Sequence, residues 1–254
     1  MPLNPSDAVM EVEPISFYSE GRKLFGNLHV PFMGAPCIIL LHGLEGHKDS
    51  DKWITVASKL SMEGFASLRF NFRGCGEGPE KSEGSFEDTS LTARIRDYEA
   101  ALDFLEGSGK VCIKKLGAIG SSFGGMVAIA AQEARIKALV TLATPYRISR
   151  NSKIINQSEN GEYHALPSGR KLKKSFFDDL EKYNMLELIK KTPPILIIHG
   201  RSDDIVPVEH AYELYKSAAE PKKLEIIENA DHTFSTALER VMNLSLQWFR
   251  RYLV

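Results

Sequence analysis

The chain has 254 residues, 43% hydrophobic and 26% charged, an ordinary globular balance that fits one domain with a large core. Its formal net charge is −1, without the basic excess that nucleic-acid binders carry, so no nucleic-acid partner is expected. Three widely spaced cysteines, Cys37, Cys75 and Cys112, form no CxxC pair, which argues against a disulfide framework or zinc site and for a reducing compartment. Residues 1–13 lack the basic and apolar regions of a signal peptide. The longest apolar runs, 37–41 and 195–198, are far too short to span a bilayer. A cytoplasmic protein with no membrane partner is the expectation.

Taken in order, residues 15–18 and 24–30 read as two strands of a hairpin around Glu20-Gly21-Arg22-Lys23. The apolar run 37–41 stops at His42-Gly43. Residues 49–63 show helical spacing, with Trp53, Val56, Ala57 and Leu60 on one side and Gly64 as the stop. A strand over 67–72 ends in a glycine-rich turn. A long amphipathic helix over 89–105 follows, with Asp88 as its N-cap. The strand 116–119 runs directly into Gly120-Ser121-Ser122-Phe123-Gly124-Gly125, and 126–133 is small and apolar, as a buried helix is. The segments 138–142, 195–198, 208–218, 224–227 and 235–252 read as strand, strand, helix, strand, helix. Apolar strands alternating with helices predict an α/β class: a mostly parallel sheet with helices on both faces, its opening hairpin antiparallel at one edge.

One stretch breaks the rhythm. Residues 146–174 are polar and basic, with Arg147, Arg150, Lys153, Arg170, Lys171, Lys173 and Lys174 against Glu159 and Glu162. A long insertion in a compact domain is usually functional or mobile. It is read as a small cap, with a hairpin near 161–172, inside a single domain spanning 1–254; a solvated surface loop is the bland alternative.

Gly120-Ser121-Ser122-Phe123-Gly124 is a G-x-S-x-G pentapeptide between strand and helix, a turn that lifts the serine hydroxyl above the sheet. Ser122 is the candidate nucleophile; Ser121 is its rival, and the glycine spacing favours Ser122. A serine hydroxyl needs a base, and seven histidines are available. His232 follows the strand 224–227, at the carboxyl edge of the sheet beside the elbow. His42 and His199 also end strands, but each precedes a glycine and lies upstream of the candidate acid, whereas His29 and His210 fall within strand and helix patterns. The loop after 195–200 holds Asp203 and Asp204; the form G-x-x-D-x-x-V-P over 200–207 favours Asp203, leaving Asp204 to cap or charge the start of the helix that Pro207 opens. The backbone N–H groups of Phe123 and of Leu44, in His42-Gly43-Leu44-Glu45-Gly46, are the candidate oxyanion donors. The cysteines are read as packing residues. Gly74-Cys75-Gly76-Glu77-Gly78 lacks a P-loop lysine and is read as a turn near the site rim. No residues show metal-ligand spacing, so no metal is expected.

These motifs, with Phe70-Asn71-Phe72-Arg73-Gly74, His199-Gly200-Arg201-Ser202-Asp203 and Ala230-Asp231-His232-Thr233-Phe234, resemble the α/β-hydrolase superfamily over nearly the whole chain. The closer likeness is to the cinnamoyl/feruloyl esterase-like, serine aminopeptidase S33-like branch. The resemblance implies the α/β-hydrolase fold, a carboxylic ester substrate, a Ser–His–Asp mechanism without cofactor, and a cap inserted after the sixth sheet strand. A small-molecule ester is then the expected partner of a monomer or homodimer. An acyl-peptide hydrolase with the same residues and a catalytically silent binding module are the alternatives. The basic cap points to an acidic or carboxylate-bearing substrate.

Overall fold

The computed structural model describes residues 11–149 and 162–254. Along the chain run β1 (Glu11–Ser19), β2 (Arg22–Val30), β3 (Ala35–Leu41), α1 (Asp51–Met62), β4 (Ala66–Phe70), α2 (Leu91–Ser108), β5 (Val111–Ser121), α3 (Phe123–Ala130) and β6 (Ile136–Leu142). Then come β7 (Tyr163–Ala165), β8 (Lys171–Lys173), α4 (Ser175–Leu180), α5 (Met185–Leu188), β9 (Ile195–Gly200), α6 (Glu209–Ser217), β10 (Lys222–Ile227) and α7 (Leu238–Leu253). Eight strands form one sheet in the order β1-β2-β4-β3-β5-β6-β9-β10. The β1/β2 and β2/β4 pairs are antiparallel, and the rest are parallel. The mostly parallel sheet and its antiparallel opening hairpin are as the hydrophobic pattern predicts.

Both sides of the sheet are covered, which is why its central strands are continuously apolar rather than alternating. In β3, Ile39 and Leu41 point into the core beneath α2, α3 and α6, with Tyr98, Leu102, Val127 and Leu214. Ile38 and Leu40 point the other way, into a core with Trp53, Val56 and Leu60 of α1 and Leu246 and Phe249 of α7. Because the strands are parallel, the loops after β3, β5, β9 and β10 all leave the same edge. This is where ligands bind in such sheets.

Two local expectations need correction. Asp88 does not cap α2: it closes a 3₁₀ turn, Phe86–Asp88, and pairs with Lys173. Ser90 takes the cap, extended at φ −145° and ψ 163°, its Oγ accepting from Ala93 N–H at 3.0 Å. Nor does Asp204 cap α6, whose N-cap residue is Val208 with no side-chain bond.

Within the insertion, β7 and β8 pair antiparallel, Tyr163 opposite Lys173, close to the expected hairpin; residues 150–161 of the expected cap, with Arg150, Lys153 and Glu159, lie outside the described residues. The short helices α4 and α5 fill the stretch before β9. Their Phe176, Phe177 and Met185 are buried, and Asp179 accepts from Thr92 N–H at 2.9 Å, which docks α4 on the start of α2.

Candidate active site

Ser122 sits at the turn from β5 into α3 with φ 53° and ψ −119°, a left-handed conformation that costs a non-glycine residue of order 1–3 kcal/mol. Neighbouring bonds hold it there. Ser122 N–H donates to Leu142 C=O at 2.8 Å on the adjacent β6, and Ser122 C=O accepts from Gly125 N–H at 3.0 Å. The turn is tight enough to exclude side chains on either side. A Cβ at Gly120 would lie 2.5 Å from Gly124 O, and one at Gly124 would lie 2.2 Å from Leu41 O. Since Leu41 O belongs to a central strand, it cannot give way cheaply. Gly124→Ala is therefore expected to destabilise the protein by about 1–3 kcal/mol, read as a lower urea midpoint with an unchanged m-value.

Asp203 and His232 come from the loops after β9 and β10. His232 Nδ1 lies 2.8 Å from Asp203 Oδ2; a carboxylate only accepts, so Nδ1 carries the proton and Nε2 is left as the basic nitrogen of the neutral ring. Asp203 is otherwise fully engaged. Its Oδ1 accepts from Ile205 N–H at 3.0 Å and Val206 N–H at 2.8 Å, and His199 Nε2 lies 3.2 Å from Oδ2. Burial alone would raise the Asp203 pKa, but bonds from His199, His232 and Val206 outweigh it and hold the carboxyl well below the usual carboxylate range. Ser122 and His232 line one cavity of about 570 Å³, with no direct hydrogen bond between them. Such bonds are often open in the absence of substrate.

The remaining candidate histidines are structural. His42 Nε2 accepts from Phe72 N–H at 3.2 Å and its Nδ1 donates to Gly43 C=O at 2.8 Å; burial, then the Arg94 charge, hold its pKa well below the usual histidine value. His210 Nδ1 accepts from Tyr146 N–H at 3.1 Å. His199, set aside because it precedes a glycine and lies upstream of the acid, instead braces the acid. It also donates from Nε2 to Val206 C=O at 2.8 Å. Cys37 and Cys75 are buried and Cys112 is half-buried, with burial pushing the Cys37 thiol up.

The loop carrying Leu44 is held from below by Arg94 of α2, a residue that sequence spacing does not single out. Its guanidinium is fully buried and donates to Gly43 C=O at 3.0 Å and Leu44 C=O at 2.6 Å. The same group lies 4.8 Å from the Phe72 ring centroid and 5.1 Å from that of Phe123. One cation therefore touches both segments whose N–H groups are the candidate oxyanion donors. Among the described residues neither Leu44 N–H nor Phe123 N–H has an acceptor.

The hairpin reaches the cavity through its tip. Leu166 and Pro167 line the wall, and Ser168 Oγ donates to the Glu45 carboxylate. The basic residues of the hairpin lie elsewhere: Arg170 stacks on Phe86 at 3.7 Å, and Lys173 pairs with Asp88. Among the described residues, the cation that lines the cavity is Lys52, with Trp53 beside it, in the first turn of α1. Asp204 lines the cavity as well, while Asp203 is behind the His232 ring. Among the described residues no group of three or more His, Cys, Asp or Glu side chains is placed to hold a metal ion. No helix there is long and apolar enough to cross a membrane.

A serine on a strand-to-helix elbow, with an Asp–His pair at the same edge of a mostly parallel sheet, defines an α/β hydrolase. Within that class, the chain belongs to the prolyl oligopeptidase family, whose model matches residues 53–254. It is 30% identical over 253 residues to the uncharacterized protein Rv2307c of Mycobacterium tuberculosis (strain ATCC 25618 / H37Rv), spanning 97% of this chain and 78% of that protein. The uncharacterized protein YfhR of Escherichia coli (strain K12) is 29% identical over 246 residues, spanning 90% of this chain and 78% of its own. Among solved structures, Est1E from Butyrivibrio proteoclasticus, with ferulic acid bound, aligns with a TM-score of 0.84 at 26% identity, over 94% of this chain and 98% of that one. The feruloyl esterase-like resemblance carried by the motifs therefore holds.

Proposed function

We propose that this hydrolase is a carboxylesterase that cleaves small to medium carboxylic esters through an acyl-enzyme on Ser122. The observation that carries the reading is the Asp203–His232 hydrogen bond of 2.8 Å beside a cavity that Ser122 also lines. In the first step His232 Nε2 takes the hydroxyl proton as Ser122 Oγ attacks the ester carbonyl. The oxyanion is held by Phe123 and Leu44 N–H, each donor contributing about 2.7–4 kcal/mol to such a transition state. His232 then protonates the departing alcohol, and water repeats the sequence on the acyl-enzyme. Asp203 keeps the imidazole in the tautomer with a free Nε2 and stabilises the imidazolium. The β7–β8 hairpin serves as the cap, its Leu166 and Pro167 closing over the acyl group.

The test is hydrolysis of a p-nitrophenyl ester series from acetate to laurate. An optimum within the series bounds the pocket, and no turnover of any member overturns the reading. Peptide or acyl-peptide hydrolysis by the same residues is the second reading, favoured by the family to which the chain belongs. Acyl-peptides cleaved faster than aryl esters would establish it.

Asp203 is expected to stay ionised at neutral and mildly acid pH, because its carboxyl is held well below the usual carboxylate range.

Arg94 is the positioning residue for the oxyanion loop. Arg94→Met keeps much of the side-chain volume but frees the Gly43 and Leu44 carbonyls. It is expected to lower kcat by about 10²-fold, the scale for misplacing a catalytic group by about 1 Å, with KM little changed. Loss confined to KM, or to the melting temperature, would leave Arg94 a packing residue.

A further inference from the structure

One wall of the cavity is not used by the ester chemistry described above. There Lys52 Nζ donates to Ser121 Oγ at 3.0 Å, one residue from Ser122. The ammonium lies 5.4 Å from the Trp53 ring centroid and 5.5 Å from that of Phe234. No carboxylate among the described residues forms an ion pair with it. Asp231 acts on it at longer range, but the Asp231 oxygens accept from Ser235 N–H, Ser235 Oγ and Thr233 Oγ1. Of the other carboxylates lining the cavity, Glu45 is taken by Ser168 and Asp204 makes no bond to Lys52. An ammonium has three donors and no acceptor, and among the described residues this one makes a single hydrogen bond while facing the cavity, so an anionic ligand there meets donors that the protein does not use. Burial lowers the amine to about 8, against the pull of Asp231, which still leaves it charged at neutral pH.

We infer that Lys52 binds a carboxylate carried by the substrate, on its acyl chain or on its leaving alcohol. The esters this site prefers are then anionic ones, such as monoesters of dicarboxylic acids or esters of carboxylated alcohols. The inference rests on the esterase reading for its substrate and narrows it. It also moves the acid-recognising charge from the basic hairpin, where Arg170 and Lys171 do not line the cavity, to the first turn of α1.

The experiment compares kcat/KM for 4-nitrophenyl hemiadipate over 4-nitrophenyl hexanoate, and for 4-carboxyphenyl hexanoate over phenyl hexanoate. The first pair carries the extra carboxylate on the acyl side, the second on the alcohol side. Each ratio is taken within one protein, so it does not depend on how much of a variant folds. Lys52→Met is expected to lower one of the two ratios by about tenfold or more, the scale of one lost hydrogen bond to a charged group, and Lys52→Arg to restore it in part. Both ratios unchanged would leave Lys52 a partner of Ser121 only and overturn the inference. Calorimetric binding of monomethyl adipate and of 4-carboxyphenyl hexanoate to Ser122→Ala, with and without Lys52→Met, separates the two readings. Binding weakened about tenfold by Lys52→Met, where the wild-type protein cleaves none of these esters, sinks the esterase and keeps the anion site. Ester cleavage that needs Ser122, with ratios and binding indifferent to Lys52, sinks the anion site alone.

Discussion

Replacing Ser122 by alanine is expected to remove ester hydrolysis, lowering kcat by about 10⁶-fold. Losing the nucleophile of a serine hydrolase has an effect of that size, because the other members of the unit have nothing left to activate. The residual rate comes from donors and binding alone and stands about 10³–10⁴ above the uncatalysed reaction. The substitution is also expected to leave the fold intact. The Ser122 side chain makes no cap bond at the start of α3, and its backbone bonds to Leu142 and Gly125 do not depend on the hydroxyl. The strained φ of 53° is no easier for alanine than for serine, so stability should change by well under 1 kcal/mol. Hydrolysis at equal rates in both proteins would show that the elbow holds no nucleophile.

Asp203→Asn is expected to lower kcat by about 10⁴-fold, for a reason that its surroundings dictate. Ile205 N–H and Val206 N–H both point at Oδ1, and leaving a buried donor unmade costs about 1–3 kcal/mol. The asparagine must therefore present its carbonyl oxygen to those two groups and its NH₂ to His232 Nδ1. That nitrogen then has to accept instead of donate, so the ring proton moves to Nε2, the atom that should take the proton from Ser122. The tautomer is then wrong, so kcat should fall with little change in KM, while the NH₂ also meets the His199 Nε2–H that Oδ2 accepts, so the unfolding midpoint should fall as well. Asp203→Ala leaves both N–H groups unsatisfied and should lower stability too. An Asp203→Asn variant with wild-type kcat would move the acid elsewhere, and Asp204, which lines the cavity, would be the residue to test next.

The sheet was legible because parallel strands covered on both sides must be apolar at every position. Runs such as Cys37-Ile38-Ile39-Leu40-Leu41 have no other stable place. Boundaries were less legible. Strand β5 begins at Val111 rather than at Leu116, since Lys114 and Lys115 sit on an exposed stretch of the strand that hydrophobicity alone does not mark. The cap of α2 moved from Asp88 to Ser90 because a 3₁₀ turn, which leaves no strong signature of its own, uses up Asp88 first.

The sequence by itself determined the parts of the site that depend on local chain geometry. A G-x-S-x-G turn after an apolar strand has one way to fold, and it presents Ser122. The glycines of that turn are required by contacts only 2.2–2.5 Å long with backbone atoms. Chain order and the loop after β9 pointed to Asp203 and His232, and the structure puts them 2.8 Å apart. Only the tertiary structure decided what surrounds them. Arg94 lies on a helix distant in sequence from both loops it touches, and its role follows from burial among Phe72, Phe123 and two backbone carbonyls. His199 was discounted for its place in the chain, yet it shares the Asp203 carboxylate. Lys52 is one lysine of an amphipathic helix until the first turn of α1 is set against the elbow. A pattern encodes contacts between neighbours in sequence, whereas a buried charge or a cavity wall is made by segments that meet only when the sheet brings its loops to one edge.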